Sequence, residues 1–113
     1  MTHELTGPER LALHRACETP FPFEVTGFLL DVVIYPEHGI ASGRTYRHRQ
    51  ADPVTGRFSD GHQIKTSMIF GFAEHRGYPV LITRNSLYIC VGVGTDNLTL
   101  MRDLKSLPMP ARH

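Results

Sequence analysis

The chain of 113 residues is 41% hydrophobic and 20% charged, with a formal net charge of +1, which excludes a disordered chain and favours one ordinary globular domain over residues 1–113. No apolar run approaches the roughly 20 residues of a membrane span, and no basic leader precedes an apolar segment, so we expect a cytoplasmic protein without membrane association. The charge is unevenly distributed: residues 1–39 hold two basic and six acidic side chains, whereas residues 40–70 hold five basic and two acidic ones.

Residues 1–22 predict a short helix followed by an extended arm. Thr6 or Gly7 can cap the helix. Pro8 is tolerated in the first turn, where an N–H would have no partner, and Glu9 complements the positive end of the helix. A Pro-Phe-Pro sequence then ends the helix after about three turns.

Residues 23–92 predict an antiparallel meander of five short strands, because β-branched and aromatic runs alternate with turn signals rather than with helices. The strands are predicted at residues 28–35, 40–49, 62–72, 80–83 and 87–91. Asn85 and Ser86 predict a hairpin between the last two strands. A strongly bent sheet of this size closes into a small SH3-like barrel, which we favour over an open sheet with helices on one face.

The second predicted strand, at residues 40–49, has no apolar side. Alternation along the strand places its polar side chains on two sides, Arg44, Tyr46 and His48 on one and Thr45, Arg47 and Arg49 on the other. We therefore expect this strand at an edge of the sheet, or projecting beyond the core into solvent.

The third predicted strand, at residues 62–72, has one largely apolar side. That side consists of Ile64, Thr66, Met68, Phe70 and Phe72. We expect it to face the core, as one side of a half-buried strand normally does.

Residues 93–113 predict a second short helix followed by a frayed tail. Asp96 or Asn97 can cap this helix, and the alternative is a further strand at residues 98–101. The tail from Pro108 onward is polar and interrupted by proline, so we expect it to pack poorly.

Seven histidines raise the question of a metal site, but none of them falls in an HxH or HxxxH pair. We therefore predict no metal site and no cofactor. His48 or His62 with Asp60 could form an acid–base site, because an imidazole titrates near neutral pH. No nucleophile elbow, phosphate loop or paired-carboxylate motif accompanies them, so we favour a protein without catalytic activity over a small enzyme of this kind.

The polar second strand and the loop at residues 50–59 contain the residues that we expect to bind a partner. They are Arg44, Tyr46, Arg47, His48, Arg49, Arg57 and Phe58, and Lys65 of the third predicted strand joins them. We favour a protein partner, because aromatic residues and arginines are typical of protein interfaces. The alternative is a small barrel that binds single-stranded nucleic acid, with arginines on phosphates and Tyr46 or Phe58 stacked on a base. Exposed edge strands also allow two copies to pair as a homodimer.

Two stretches of the sequence carry a resemblance to a family. The first is Asp60-Gly-His-Gln-Ile-Lys-Thr-Ser67, and the second is Val80-Leu-Ile-Thr-Arg-Asn-Ser-Leu-Tyr88. Together they resemble a pattern of small uncharacterised proteins from bacterial phages and mobile elements, in which a Gly turn enters a strand ending in Thr-Ser and a later Thr-x-Asn-Ser-x-Tyr run forms a hairpin. The resemblance implies a bacterial cytoplasm and an accessory role, which includes inhibiting a host complex by binding it. It implies no activity.

Overall fold

A computed structural model of the chain describes residues 5–103. Within that range there are two helices, α1 (Gly7–Glu18) and α2 (Thr95–Asp103). The strands are β1 (Gly27–Tyr35), β2 (Ile40–Tyr46), β3 (Gln63–Lys65), β4 (Ile69–His75), β5 (Tyr78–Thr83) and β6 (Leu87–Cys90). The predicted α+β class is confirmed.

Helix α1 begins and ends as the sequence predicts. The Thr6 N–H donates to Glu9 Oε1 (2.9 Å), and the Glu9 N–H donates to Thr6 Oγ1 (3.2 Å). This reciprocal capping box satisfies two N–H groups that a helix start otherwise leaves without partners. Pro8 lies in the first turn, and the helix ends at Glu18, just before the proline-rich arm.

The six strands form one mixed sheet in the order β3-β2-β1-β6-β5-β4. Neighbouring strands are antiparallel except for β1 and β6, which run parallel. The predicted five-stranded antiparallel meander is therefore wrong in strand number and in one pairing. A meander pairs each strand with its neighbour in sequence, whereas here the first and last strands meet at the centre of the sheet.

The sixth strand arises because the predicted third strand is divided. Residues 66–68 separate β3, which pairs with β2, from β4, which pairs with β5. The four Cα steps from the end of β3 to the start of β4 span at most about 14 Å. A flat six-stranded sheet would separate its two edges by about 24 Å, so this sheet curls strongly. Its edge strands do not pair with each other within residues 5–103, and the predicted SH3-like barrel is not confirmed.

The division of this strand also reverses two predicted orientations. Met68 is 59% exposed and Phe70 is 51% exposed, although the alternation predicts both in the core. The register of β4 shifts between Ile69 and Gly71, and this bulge leaves Phe70 outside the ladder. Phe72, beyond the bulge, is buried as predicted.

Strand β2 lies inside the sheet, between β1 and β3, and the expectation of an edge strand or of a strand in solvent is wrong. It ends at Tyr46 rather than at Arg49, and residues 41–46 are all buried. Buried polar side chains need hydrogen-bond partners. The partners of β2 come from other parts of the chain, which the sequence pattern of one strand does not reveal.

Each side of the sheet carries a hydrophobic core covered by one helix. One core contains Leu29 and Leu81 and is covered by Met101 of α2. The other contains Ile89 and is covered by Ala16 of α1. The sheet is therefore buried on both sides, and burial of large apolar side chains of this kind is the main stabilising contribution to a fold.

Helix α2 confirms the second predicted helix and excludes the alternative strand at residues 98–101. It begins at Thr95, so Asn97 lies within its first turn. The Asn97 Oδ1 accepts the Ile34 N–H (2.9 Å), which fastens the start of α2 to β1. The frayed tail predicted from Pro108 onward lies outside the described residues.

Candidate functional site

The Arg44 guanidinium is 4% exposed and links α1, β1 and β2. Its Nε donates to Asp31 Oδ2 (2.6 Å), one Nη to Glu9 Oε2 (2.9 Å) and the other Nη to the Tyr46 hydroxyl (2.9 Å). We call these four residues the Arg44 cluster. The Thr6 N–H and the Arg44 guanidinium together hold the pKa of the Glu9 carboxyl below its ordinary value. Arg44 and Tyr46 are thus buried and hydrogen-bonded to each other inside the protein.

A bulge in β1 brings Asp31 to this cluster. Asp31 has a φ of 54°, and the pairing of β1 with β2 shifts register between Leu30 and Val33. An Asp within an otherwise apolar strand is the sequence signal for this site, because a carboxylate beside a core is costly unless it is paired. The sequence prediction missed Asp31 and Glu9 as the partners of Arg44.

His48 lies on the other side of the sheet from Arg44 and Tyr46, and the predicted common side is wrong. The cause is Arg47, whose φ of 54° ends β2 and reverses the direction of the next side chain. His48 is 6% exposed and packs over Gly27. A Cβ at Gly27 would lie 3.3 Å from the imidazole Cδ2, so the absence of a side chain there makes room for the ring.

Both ring nitrogens of His48 have hydrogen-bond partners. Nδ1 accepts the Gln50 N–H (3.0 Å), and Nε2 lies 3.1 Å from the Tyr88 hydroxyl. Because Nδ1 accepts, the neutral ring carries its proton on Nε2 and donates it to Tyr88. The Phe58 ring stacks on the imidazole, with centroids 4.1 Å apart and planes 7° apart. Burial lowers the pKa of His48, which favours this neutral form.

Residues 47–62, which we call the 47–62 loop, contain no helix or strand but are held by internal hydrogen bonds. The Asp52 carboxylate accepts the N–H groups of Val54 (2.8 Å) and Thr55 (3.4 Å) in an Asx turn. The Val54 N–H is the main cause of a lowered pKa at Asp52. The Asp52 N–H also donates to the Arg57 carbonyl (2.9 Å). The loop therefore has a defined conformation.

Four of the remaining predicted binding residues are exposed. The exposed ones are Arg47, Arg49, Arg57 and Lys65. Arg49 forms an ion pair with Glu24 (2.8 Å), and the Arg57 guanidinium lies 5.0 Å from the centroid of the Phe58 ring. Lys65 lies in β3 at the edge of the sheet. A groove that follows a nucleic-acid strand needs these side chains together with Arg44 and Tyr46, which are buried.

The predicted acid–base residues have other roles in this conformation. The Asp60 Oδ1 accepts the Arg47 N–H (2.8 Å), and both nitrogens of His48 are occupied and buried. His62 is exposed. His48 thus attaches the 47–62 loop to the sheet rather than meeting a substrate proton. Among residues 5–103, no three His, Cys, Asp or Glu side chains are grouped closely enough to hold a metal ion.

The two stretches that carry the family resemblance meet in the structure. The Ser67 hydroxyl donates to Thr83 Oγ1 (3.0 Å), and the Asn85 N–H donates to Ser67 Oγ (3.4 Å). Thr66 Oγ1 accepts the Ala41 N–H (3.0 Å). These hydrogen bonds stabilise the segment that connects β3 to β4. These two stretches of the chain therefore stabilise the curl of the sheet.

Replacing Ser67 by Ala is expected to lower the free energy of unfolding by about 1 kcal/mol, because the Asn85 N–H and the Thr83 hydroxyl lose a partner. Ser59→Ala is the matched control, since the Ser59 hydroxyl makes no hydrogen bond within residues 5–103, and it should change the same quantity by less than about 0.5 kcal/mol. Urea denaturation measures both variants. Equal effects would show that this junction adds no stability.

A pocket of about 370 Å³ lies between α1 and the 47–62 loop, and we call it the α1–loop pocket. Its lining includes the apolar side chains of Leu5, Leu13 and Cys17, and the polar side chains of Arg10, Arg47, Tyr46 and Asp60. Burial raises the pKa of the Cys17 thiol, so this group is neutral near pH 7. The pocket thus combines an apolar part with two guanidinium groups.

Comparisons of the chain with protein-family models, with curated proteins and with solved structures found no match. No helix within residues 5–103 is both long and apolar enough to span a bilayer.

Proposed function

We propose that the protein binds another protein through the 47–62 loop and has no catalytic activity of its own. The observation that carries this proposal is a long segment that lacks helix and strand and is nevertheless fixed by its own hydrogen bonds. Loops of more than about 12–15 residues without secondary structure are uncommon in small domains and are usually functional when ordered. A loop that is ordered before binding also loses less conformational entropy when the partner binds.

The backbone of the loop is strained at two positions. Arg47 and Phe58 have φ values of 54° and 58°, a region that costs non-glycine residues about 1–2 kcal/mol. Two contacts enforce these values: Asp60 accepts the Arg47 N–H, and Phe58 stacks on His48. Strain of this kind persists where the surrounding structure maintains it, and it is concentrated at binding sites.

The loop presents an apolar side chain and a cation to solvent. Val54 is 91% exposed, and Arg57 is exposed as well. Arginine is enriched among the central contacts of protein interfaces, and an exposed apolar side chain beside it gains stability when a partner buries it. The resemblance to phage and mobile-element proteins supports an accessory role in a bacterial cytoplasm, in which binding inhibits a host complex by covering part of its surface.

Single-stranded nucleic acid is the second candidate partner, because Arg47, Arg49 and Arg57 are all exposed in the loop. Base stacking needs an accessible aromatic face. The Phe58 ring is stacked on His48 and also contacts Arg57, while Tyr46 is 5% exposed. These contacts favour a protein partner over a nucleic acid.

The proposal is tested with a photo-crosslinking amino acid, benzoylphenylalanine, placed at Val54. Irradiation in a bacterial lysate is expected to attach the chain to a partner protein. The control position is Arg76, which is exposed in the turn between β4 and β5 and lies outside the loop. Attachment to a second copy of the chain would identify a homodimer as the complex.

The partner is then made separately and its affinity measured. The double variant Val54→Asp, Arg57→Glu is expected to bind it at least about 30-fold more weakly, which corresponds to the loss of one interface hot spot. Arg76→Glu is the matched charge control and should bind normally. Crosslinking to nucleic acid, or equal crosslinking from both positions, would contradict the proposal.

A further inference from the structure

The side chains that line the α1–loop pocket carry more positive than negative charge. The carboxylates of Glu9 and Asp31 are both bonded to Arg44, and none of these three residues belongs to the pocket lining. Arg10 and Arg47 line the pocket and form no ion pair within residues 5–103. Two unpaired guanidinium groups therefore border the same pocket.

Asp60 is the acidic side chain in the lining, and it is already engaged. Its Oδ1 accepts the Arg47 N–H, which holds the carboxylate against the loop backbone. His14, also in the lining, is paired with Glu18 (3.3 Å). Two guanidinium groups against one carboxylate leave the pocket with an excess of positive charge, which favours an anionic ligand.

The apolar part of the pocket accepts a large side chain. Leu5, Leu13 and Cys17 are partly buried and pack against the core beneath α1. The volume of about 370 Å³ falls in the range of about 300–1,000 Å³ that is usual for ligand sites.

We propose that the α1–loop pocket holds a short acidic segment of the protein partner that carries one large apolar side chain. The apolar side chain lies on Leu5 and Leu13, and flanking carboxylates bind Arg10 and Arg47. This inference rests on the proposed protein-binding function and specifies the chemistry of the partner. Pairing of a carboxylate with a guanidinium supplies orientation as well as affinity.

An acidic peptide fits these features better than a nucleic acid does. Phosphates repeat along a strand and are best met by a row of cations. The pocket instead places two guanidinium groups beside a single apolar cavity. A nucleic acid would use the arginines and leave the apolar cavity unfilled.

The test uses the full chain and two fluorescein-labelled peptides, Glu-Asp-Leu-Asp-Glu and Glu-Asp-Ser-Asp-Glu, titrated by fluorescence anisotropy. The leucine peptide is expected to bind about tenfold or more tightly than the serine peptide, because only leucine buries a large apolar side chain. An oligothymidylate of equal charge is the competitor. It is expected to displace the leucine peptide only weakly.

Variants locate the binding in the pocket. Arg10→Gln and Arg47→Asn should each weaken binding of the leucine peptide about tenfold, the loss of one charge-assisted hydrogen bond. Asn is chosen at position 47 because it tolerates the φ of 54° found there. Arg15→Gln is the control, an exposed arginine of the same helix outside the lining, and should bind normally. Thermal unfolding verifies that each variant is folded.

Equal affinity for the two peptides, unchanged binding by Arg10→Gln and Arg47→Asn, or displacement by oligothymidylate at equal concentration would each overturn the inference. Binding of the partner crosslinked at Val54 to two double variants shows whether the pocket inference fails while the proposed function holds. If that partner binds the Arg10→Gln, Arg47→Asn double variant normally but fails to bind Val54→Asp, Arg57→Glu, protein binding by the loop holds and the pocket inference is wrong. If the partner binds neither double variant, the proposed protein binding by the loop and the pocket inference both hold.

Discussion

Replacing Arg44 by Met is expected to lower the free energy of unfolding by about 2–4 kcal/mol. The substitution leaves the Glu9 and Asp31 carboxylates near each other without their shared cation, and it leaves the Tyr46 hydroxyl without a donor. Removing one partner of a buried ion pair costs about 3–5 kcal/mol. We expect a smaller loss because the two carboxylates are 26% and 54% exposed and water screens part of the interaction.

Arg49→Met is the matched control for this experiment. Arg49 is also an arginine bonded to a glutamate, but both members of the Arg49–Glu24 pair are more than half exposed. Its loss should change the free energy of unfolding by about 0–1 kcal/mol in urea denaturation. Arg44→Lys should fall between the two, since an ammonium cannot reproduce the planar fork of a guanidinium. Equal losses for Arg44→Met and Arg49→Met would show that the Arg44 cluster contributes no more than a surface pair.

Replacing His48 by Ala is expected to lower the free energy of unfolding by about 2–4 kcal/mol at pH 7.5. It leaves the Gln50 N–H and the Tyr88 hydroxyl without partners and opens a cavity beneath the Phe58 ring. The same change should release the 47–62 loop, because the stack on His48 is what attaches Phe58. Hydrogen exchange of the loop amides measures that release, and unchanged protection would contradict it.

His48 also predicts how stability depends on pH. Its pKa is lowered in the folded protein, so the unfolded chain binds more protons between that lowered pKa and the ordinary value of 6.5. Stability therefore rises with pH through this window. The contribution of His48 is fully present above about pH 6.5 and is lost progressively as the pH falls below it.

Urea denaturation between pH 5 and pH 8 checks this dependence. His48→Gln removes the titrating group and should flatten the fall in stability below pH 6.5. His62→Gln is the control for the substitution of a histidine at an exposed position of the same loop. A slope that is the same in His48→Gln and the parent chain would assign the pH dependence to other groups.

Elements with strong local signals were predictable from the sequence. The cap at Thr6, the proline after Glu18 and the β-branched runs of β1 and β5 act over a few residues, and each was assigned correctly. The hairpin between β5 and β6 is closed by the Thr83 N–H donating to the Ser86 carbonyl (2.9 Å). Such signals depend only on neighbours in the chain.

Features that depend on distant partners were not predictable. An arginine at position 47 gives no sign of a positive φ, because that conformation is enforced by Asp60 and by the packing of the loop. The reversal it causes moves His48 to the other side of the sheet and separates it from Tyr46. The division between β3 and β4 was missed for a similar reason, since Thr66 and Ser67 form their hydrogen bonds there with Ala41 and Thr83, which are distant in the sequence.

The polar composition of β2 was visible in the sequence, but the partners of its side chains were not. Polar residues on both sides of β2 indicated a role other than core packing, and these residues form hydrogen-bonded clusters. The expectation of an accessible surface was wrong for Arg44 and His48 because their partners, such as Asp31 and Tyr88, come from other strands. The exposed arginines of the 47–62 loop remain the basis of the proposed interface.

The parallel pairing of β1 with β6 determines the order in which this chain is expected to fold. Strands β1 to β3 form one antiparallel ladder between neighbours in sequence, and β4 to β6 form another. The two ladders are paired through residues 27–29 and 88–90, from opposite ends of the described chain. Contacts between neighbours form quickly, whereas a pairing that closes a long loop forms slowly. Each half of the sheet should therefore form early, and the joining of β1 to β6 should set the folding rate of the whole domain.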